Sequence, residues 1–283
     1  MDKKPRHPYL QSDRPWVMAH RGDSVRAPAN TMVAFAMAVD AGADVLEIDV
    51  HWTKDDAVVV SHDATVDAMS DGHGAIADMS LAQLKELDFG YRFSDDGGKT
   101  FPYRGKRVAI PTLREVLRTF PDVRVNMDIK PRRLGSLATL MSDIDESRAL
   151  ARVLVASFHH ETLRVVRRMN LSVATSASPR EVAAFVLGVK LRAHVVGRSP
   201  YVALQVPASV GTMAVVTPAF VRAAHQRGVA VHVWTVDDAT TMESLFDLGV
   251  DAIVSNDAQL AVVVRNRFLA VEQTIEPLNY GEG

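Results

Sequence analysis

From residue 123 to residue 255 the chain repeats one pattern, a short β-forming run followed by an amphipathic helical stretch. Strands are predicted at residues 123–130, 153–158, 171–176, 201–207, 229–236 and 251–255. Helices are predicted at residues 161–169, 179–191, 217–228 and 238–248, and another at 137–144 precedes the second of these strands. Earlier strands end at His20 and Val50, which makes eight helix-alternating strands. Such alternation builds a parallel sheet whose faces are both covered by helices. Eight repeats suggest a (β/α)8 barrel, and 283 residues suit one large α/β domain. A doubly wound sheet is the other architecture with this alternation. The barrel is preferred because polar residues gather at strand C-terminal ends, which in a barrel form the active face.

Two stretches depart from the repeat. Residues 28–42 form an amphipathic helix, with Asn30 or Thr31 as N-cap and Gly42 closing it. Residues 64–110 are irregular apart from a short helix near residues 80–87 capped by Ser80. A connection this long is expected to be a lid or an inserted irregular subdomain. The expected organisation is a polar tail at 1–15, one domain over 16–268 with its insert at 64–110, and a C-terminal tail at 269–283.

The chemistry concentrates around residues 46–63. Glu47 and Asp49 interrupt an otherwise apolar strand, and the two-residue strand period puts both carboxylates on one face. Adjacent carboxylates repel each other, and burial raises that cost, so they need a cation or a hydrogen-bond network. A polar turn at Thr53–Asp56 separates this strand from residues 58–61, too short a link for a parallel crossover. The pair is therefore a hairpin, and folding it about Asp55 returns His62 to the level of Asp49. Other strand ends supply His20 and Arg21, then Asn126, Asp128 and Lys130 on one face, then His232 and Trp234, then Asn256. Glu47, Asp49 and Asp128 offer hard oxygen donors suited to Mg²⁺ or Ca²⁺. Zinc is less suited, because no histidine pair has ligand spacing on a helix. Arg21 offers a fork for a phosphate and Lys130 a point charge. A cation, two basic side chains and two imidazoles, His20 and His62, point to displacement at phosphorus.

Several classes are disfavoured. A formal charge of −2 provides no general attraction to nucleic acid or anionic lipid. With zero cysteines there is no disulfide framework, thiolate nucleophile or cysteine-based zinc site. The first sixteen residues lack the apolar core of a signal peptide, so a cytoplasmic location is expected. Residues 201–221 carry no charge, but Gln205, Pro207, Gly211 and Pro218 make a strand, a loop and a helix start the better reading than a membrane span. Among the remaining histidines, His51 reads as a supporting or exposed residue, His73 as a turn residue, and His159 and His160 as a helix start. His232 reads as a buried, hydrogen-bonded core residue. Arg164, Arg167 and Arg168 read as a solvated helix edge. The apolar loop around Val210 and Met213 is expected to pack on the barrel rim, with weak contact to a lipid chain as the second reading.

The order of these residues resembles the glycerophosphodiester phosphodiesterases. The resemblance runs through His20-Arg21-Gly22, Pro28-Ala29-Asn30-Thr31, Glu47 to Val50, Thr53 with Asp55, and His62-Asp63. It continues through Ile110 to Leu117, Asp128-Ile129-Lys130, Ser157-Phe158 and Trp234-Thr235-Val236-Asp237. Each motif is weak alone; in this order, from Val17 to about Leu260, they are specific. The resemblance implies a distorted (β/α)8 TIM barrel. It implies His20 and His62 as general acid and base, Glu47, Asp49 and Asp128 as ligands of the divalent metal, Arg21 and Lys130 on the phosphate, and Trp234 in the alcohol pocket. The implied reaction uses a free glycerol hydroxyl to attack phosphorus, and water then opens the cyclic phosphate. The expected substrate is a small glycerophosphodiester such as glycerophosphocholine, released as glycerol phosphate and the alcohol. Ala29, Asp128, Asp237 and Asn256 depart from the residues usual at those places, which are glutamate, glutamate, asparagine and often aspartate. A lysophospholipase-D-like activity on lysophospholipids and a catalytically silent phosphate-ester binding protein are the alternatives.

Overall fold

The protein is described by a computed structural model over residues 7–191 and 199–275. In chain order the strands are β1 (Trp16–His20), β2 (Val45–Trp52), β3 (Val58–Val60), β4 (Arg124–Ile129), β5 (Val153–Ala156), β6 (Ala174–Thr175), β7 (Ala203–Pro207), β8 (Ser209–Val210), β9 (Met213–Ala214), β10 (Ala230–Trp234) and β11 (Ala252–Ser255). The α-helices are α1 (Met32–Asp40), α2 (Leu81–Lys85), α3 (Leu113–Thr119), α4 (Leu137–Glu146), α5 (His160–Met169), α6 (Pro179–Lys190), α7 (Pro218–Gln226), α8 (Ala239–Asp247) and α9 (Ala258–Ile275).

Parallel pairing runs β6–β5–β4–β2–β1–β11–β10–β7. The ring closes between its two end strands through a parallel bridge from Ser176 to Ala203, with Ala177 N–H donating to Ala203 O at 2.8 Å. This is a (β/α)8 barrel, and a doubly wound sheet is excluded because no edge is left open. The seam is thin because β6 has shrunk to Ala174–Thr175, where a strand over 171–176 is predicted. Asn170 and Ser172 draw the start of that run into a turn by side chain-to-backbone bonding.

The two-residue period of the strands then decides what fills the barrel. Trp16, Met18, Val45, Leu154, Ala203, Ala230 and Ala252 make a buried apolar layer low in the barrel. One pleat further up, β1, β2 and β7 present His20, Glu47 and Gln205 to the mouth, and β4 adds Asn126 and Asp128. In register with Gln205 sits His232, fully buried, its Nδ1 accepting from Gln205 Nε2 at 3.3 Å. Burial pushes its pKa down to about 4, so the imidazole is a neutral core group, as the sequence suggests.

Three segments surround the barrel. The N-terminal tail is structured from residue 7: Tyr9 and Leu10 are buried under the barrel, where Tyr9 meets the Trp16 ring edge-on at 5.6 Å. The C-terminal tail expected from residue 269 begins as a continuation of α9, which runs to Ile275. Residues 64–110 pack on a small apolar cluster of Val59, Val66, Ile76, Leu84, Phe89 and Ile110, and none of them lines the mouth cavity. They buttress the β2–β3 hairpin, and a lid role finds no support.

Side-chain caps set the helix starts, Thr31 being one of the two candidates read from the sequence. Thr31 caps α1, and Thr112 and Ser178 open α3 and α6 as capping boxes with Glu115 and Glu181. Arg167 is not on a solvated edge: it bonds Glu181 at 2.7 Å and Thr175 Oγ1 at 2.8 Å, tying α5 to α6 across the end of β6.

Candidate active site

The chain bends sharply where β1 ends. Arg21 (φ 59°) and Gly22 (φ 85°) both lie in the left-handed region. A Cβ on Gly22 would come within 2.6 Å of the Ala34 carbonyl carbon, so only glycine lets α1 approach this closely. The turn holds Arg21 over β2, with its backbone N–H donating to Glu47 O at 2.9 Å. On the other side of β2, Ser61 N–H donates to Asp49 O at 2.9 Å, and Val50 pairs with Val60. His62 therefore returns beside Asp49, as folding the hairpin about Asp55 predicts.

All eight predicted site residues line one cavity of about 730 Å³: His20, Arg21, Glu47, Asp49, His62, Asp128, Lys130 and Trp234. Asp49 is the hub. Its Oδ1 lies 2.8 Å from Lys130 Nζ, and its Oδ2 accepts from Asn30 Nδ2 at 2.9 Å. Arg21 Nε lies 3.1 Å from the same Oδ2, but off the direction of its N–H, so that contact is an ion pair rather than a hydrogen bond. Lys130 Nζ also donates to Asp128 Oδ2 at 2.8 Å. Burial alone would lower the Lys130 pKa, yet Asp128 and Asp49 raise it, and the ammonium stays charged.

The carboxylates are crowded. Glu47 is driven well above the usual carboxylate range, first by burial and then by Asp49 and Asp128. Asp128 is raised too, chiefly by burial, and its Oδ1 is buried without a hydrogen-bond partner. Unpartnered hard oxygen beside surplus negative charge is chemically suited to a hard divalent cation. The three acids do not, however, form a ready-made shell. Among the described residues no group of three His, Asp or Glu is arranged to hold an ion, because Lys130 stands between Asp49 and Asp128.

The two histidines have different settings. His20 Nδ1 is 2.7 Å from Asn256 Oδ1, and Asn256 is itself locked: Nδ2 donates to Asp237 Oδ2 at 2.7 Å and its backbone N–H to Asp237 Oδ1 at 2.8 Å. With Nδ2 committed to Asp237, the oxygen must face His20, so Nδ1 carries the proton and Nε2 the lone pair. That Nε2 lies 3.9 Å from Glu47 Oε2. Burial, then the Arg21 charge, lowers the His20 pKa. His62 is more open, with Nδ1 2.7 Å from Asp63 Oδ1, and its carbonyl meets His51 Nε2 at 3.1 Å. His51 is thus a buried support for the His62 segment.

His159 and His160 sit at the start of α5, as expected; His159 Nε2 lies 3.1 Å from Lys130 O and His160 Nδ1 2.9 Å from Ser178 Oγ. His73 pairs with Asp67 in an exposed turn. The loop around Val210 and Met213 is not packed on the rim: it is the exposed β8–β9 hairpin and lines the cavity. Sequence reasoning also passes over Asn30 as a partner of Asp49 and α6 as a cavity wall. A signal for the wall exists, since α6 carries apolar residues at 182, 183, 185, 186, 187 and 189, more than one core-facing stripe needs.

Residues 20–260 match the sequence model of the glycerophosphoryl diester phosphodiesterase family. The chain is 33% identical over 253 residues to a glycerophosphodiester phosphodiesterase of Caldanaerobacter subterraneus subsp. tengcongensis, covering 87% of this chain and 96% of that protein. It is 32% identical to the probable glycerophosphodiester phosphodiesterase 2 of Mycobacterium tuberculosis, covering 86% and 88% of the two chains. Its fold is similar to that of an Oleispira antarctica phosphodiesterase in complex with the product sn-glycerol-3-phosphate (TM-score 0.71, 24% identity, 89% of this chain and 97% of the other).

Proposed function

Because the chain belongs to the glycerophosphoryl diester phosphodiesterase family and is a phosphodiesterase of that class, we propose that it hydrolyses glycerophosphodiesters to glycerol phosphate and an alcohol, by a divalent-metal-dependent reaction with His20 as base and His62 as acid. The observation that carries this reading is the meeting of both imidazoles, three buried acids, Arg21 and Lys130 in one cavity. Arg21 and Lys130 hold the phosphate oxygens. They are fixed in advance by Asp49 and Asp128, so little reorganisation accompanies the build-up of charge at phosphorus. His20, with its lone pair on Nε2, takes the proton of the attacking hydroxyl. That leaves His62 to protonate the departing alcohol, with Asp63 beside it to balance the charge it then carries. Trp234, at the rim, lines the alcohol side.

Glu47, Asp49 and Asp128 would hold the metal, which supplies Lewis-acid polarisation of the phosphoryl oxygens. Mg²⁺ and Ca²⁺ are the ions the oxygen donors favour. A cation at this place competes with Lys130 for Asp49 and Asp128. No helix among the described residues is long and apolar enough to cross a membrane.

The direct test is release of glycerol phosphate from glycerophosphocholine or glycerophosphoethanolamine with Mg²⁺ or Ca²⁺ present. Turnover is expected; its absence with every divalent ion would leave a phosphate-ester binding protein.

The Asp237–Asn256 pair gives a second expected result. Asp237→Ala frees the Asn256 amide to rotate and present Nδ2 to His20, which favours the wrong tautomer. We expect kcat to fall about tenfold to a hundredfold with KM nearly unchanged, as for a misoriented catalytic group. An equal rise in KM would assign the pair to substrate binding instead.

A further inference from the structure

The floor of the cavity holds a polar pair that the acid–base scheme does not use. Asn126 comes from β4 and Gln205 from β7, strands that the ring separates by β5 and β6. Their side chains nevertheless meet, with Gln205 Nε2 donating to Asn126 Oδ1 at 2.8 Å, so the pair spans the barrel. The second Nε2 proton goes to Nδ1 of His232, which pairs with Gln205 in the parallel register of β10 and β7. His232 is fully buried and neutral, and its ring lies beside that of Trp16 at 6.3 Å.

This chain of bonds decides which atoms are left over. Both protons of Gln205 Nε2 are taken, so Oε1 is its open end. Asn126 Oδ1 is taken, so Nδ2 is its open end. Among the described residues neither atom has a hydrogen-bond partner, and neither is sealed from the cavity that both side chains line. Turning both amides over would exchange their roles and still leave one donor and one acceptor. A hydroxyl group donates and accepts at once, so one hydroxyl satisfies the pair. A phosphate oxygen only accepts, and would face the Gln205 carbonyl with no proton between them.

Depth gives the same assignment. Asn126 is level with Glu47 and one pleat below Asp128 on the same face of β4. Arg21 and Lys130 are held higher, against Asp49 and Asp128. Trp234 likewise stands one pleat above His232 on β10. The pair therefore lies beneath the phosphate position and away from the alcohol side at the rim.

We infer that Asn126 and Gln205 recognise the glycerol hydroxyl that does not attack phosphorus, and that His232 is the positioning residue that holds them. This rests on the proposed phosphodiesterase reading and adds the residues that select the glycerol group. A phosphodiester lacking that hydroxyl displaces water from both amide ends and pairs neither, the costly outcome for a buried polar group.

The test compares kcat/KM on glycerophosphocholine and on 2-hydroxypropyl phosphocholine. The second compound keeps the attacking hydroxyl and the choline, and lacks only the terminal hydroxyl. The full chain, with Mg²⁺ or Ca²⁺, is expected to prefer glycerophosphocholine by about tenfold to a hundredfold. Gln205→Leu removes Oε1 and the hold on Asn126, and should reduce that preference to about twofold, the margin within which uncoupled changes add. His232→Leu should reduce it too, whereas His232→Asn, whose Oδ1 replaces Nδ1 as acceptor, should keep most of it. Equal kcat/KM on the two compounds in the unaltered chain would overturn the inference alone. A Gln205→Leu variant that slows on both by one common factor would also overturn it, leaving the pair as a brace of the barrel. No turnover of either compound by the unaltered chain would overturn the phosphodiesterase reading and this one with it.

Discussion

Replacing His20 by alanine lowers kcat on glycerophosphocholine by about 10²–10⁴-fold, the usual contribution of a positioned general base. His62→Ala has an effect of the same order. Both side chains are partly open to the cavity, so neither removal leaves a buried void, and thermal unfolding should stay close to wild type. The two variants separate on a substrate whose leaving group needs no proton. A p-nitrophenyl phosphodiester restores much of the rate to His62→Ala, because the acid is no longer required, and little to His20→Ala. Rescue of His20→Ala instead would reverse the two roles. Wild-type rates in either variant on glycerophosphocholine would sink the acid–base scheme.

Chelation has the second large effect. Removal of divalent ions is expected to lower turnover by at least ~10²-fold, the several kcal/mol that a Lewis acid supplies. Adding Mg²⁺ or Ca²⁺ should restore it. Glu47→Gln keeps the shape of the side chain but removes one of three crowded carboxylates. It should raise the metal concentration for half-maximal rate by about a hundredfold or more, at least what loss of an outer hydrogen-bond partner costs. Titration calorimetry should show the same loss of metal binding without any substrate. Full activity in excess chelator would mean that Lys130 and Arg21 alone neutralise the phosphate.

The fold and most of the site were legible because strand geometry leaves few choices. A two-residue period put Glu47 with Asp49 and Asn126 with Asp128, and a turn too short for a crossover forced His62 back beside Asp49. What escaped depends on contacts between distant elements. Asn30 reaches Asp49 only because the loop after β1 carries three left-handed residues, Arg21, Gly22 and Asn30 itself, and no periodicity announces that. The position of Lys130 between two acids follows from side-chain reach, so the oxygen inventory alone overstated how ready the metal site is. Tyr9 and Leu10 looked like part of a tail because nothing local shows that the small alanines of β7, β10 and β11 leave room for them beneath the barrel. Asp237 and Asn256 each looked like an isolated departure. Together they form one unit that orients His20.

The segment over residues 64–110 touches no part of the cavity, yet His62 stands on the hairpin that this segment braces through Val59 and Ile110. His20 belongs to the closed ring of strands and His62 to an arm outside it. The separation of His20 and His62 is therefore a mechanical property of that brace. Further out, buried Asp88 accepts from Gly90, Gly105 and Val108 N–H, and Tyr103 OH reaches Arg26 O, so the segment holds its own shape. At its root, any loosening would surface as slow catalysis in a protein that still binds its substrate.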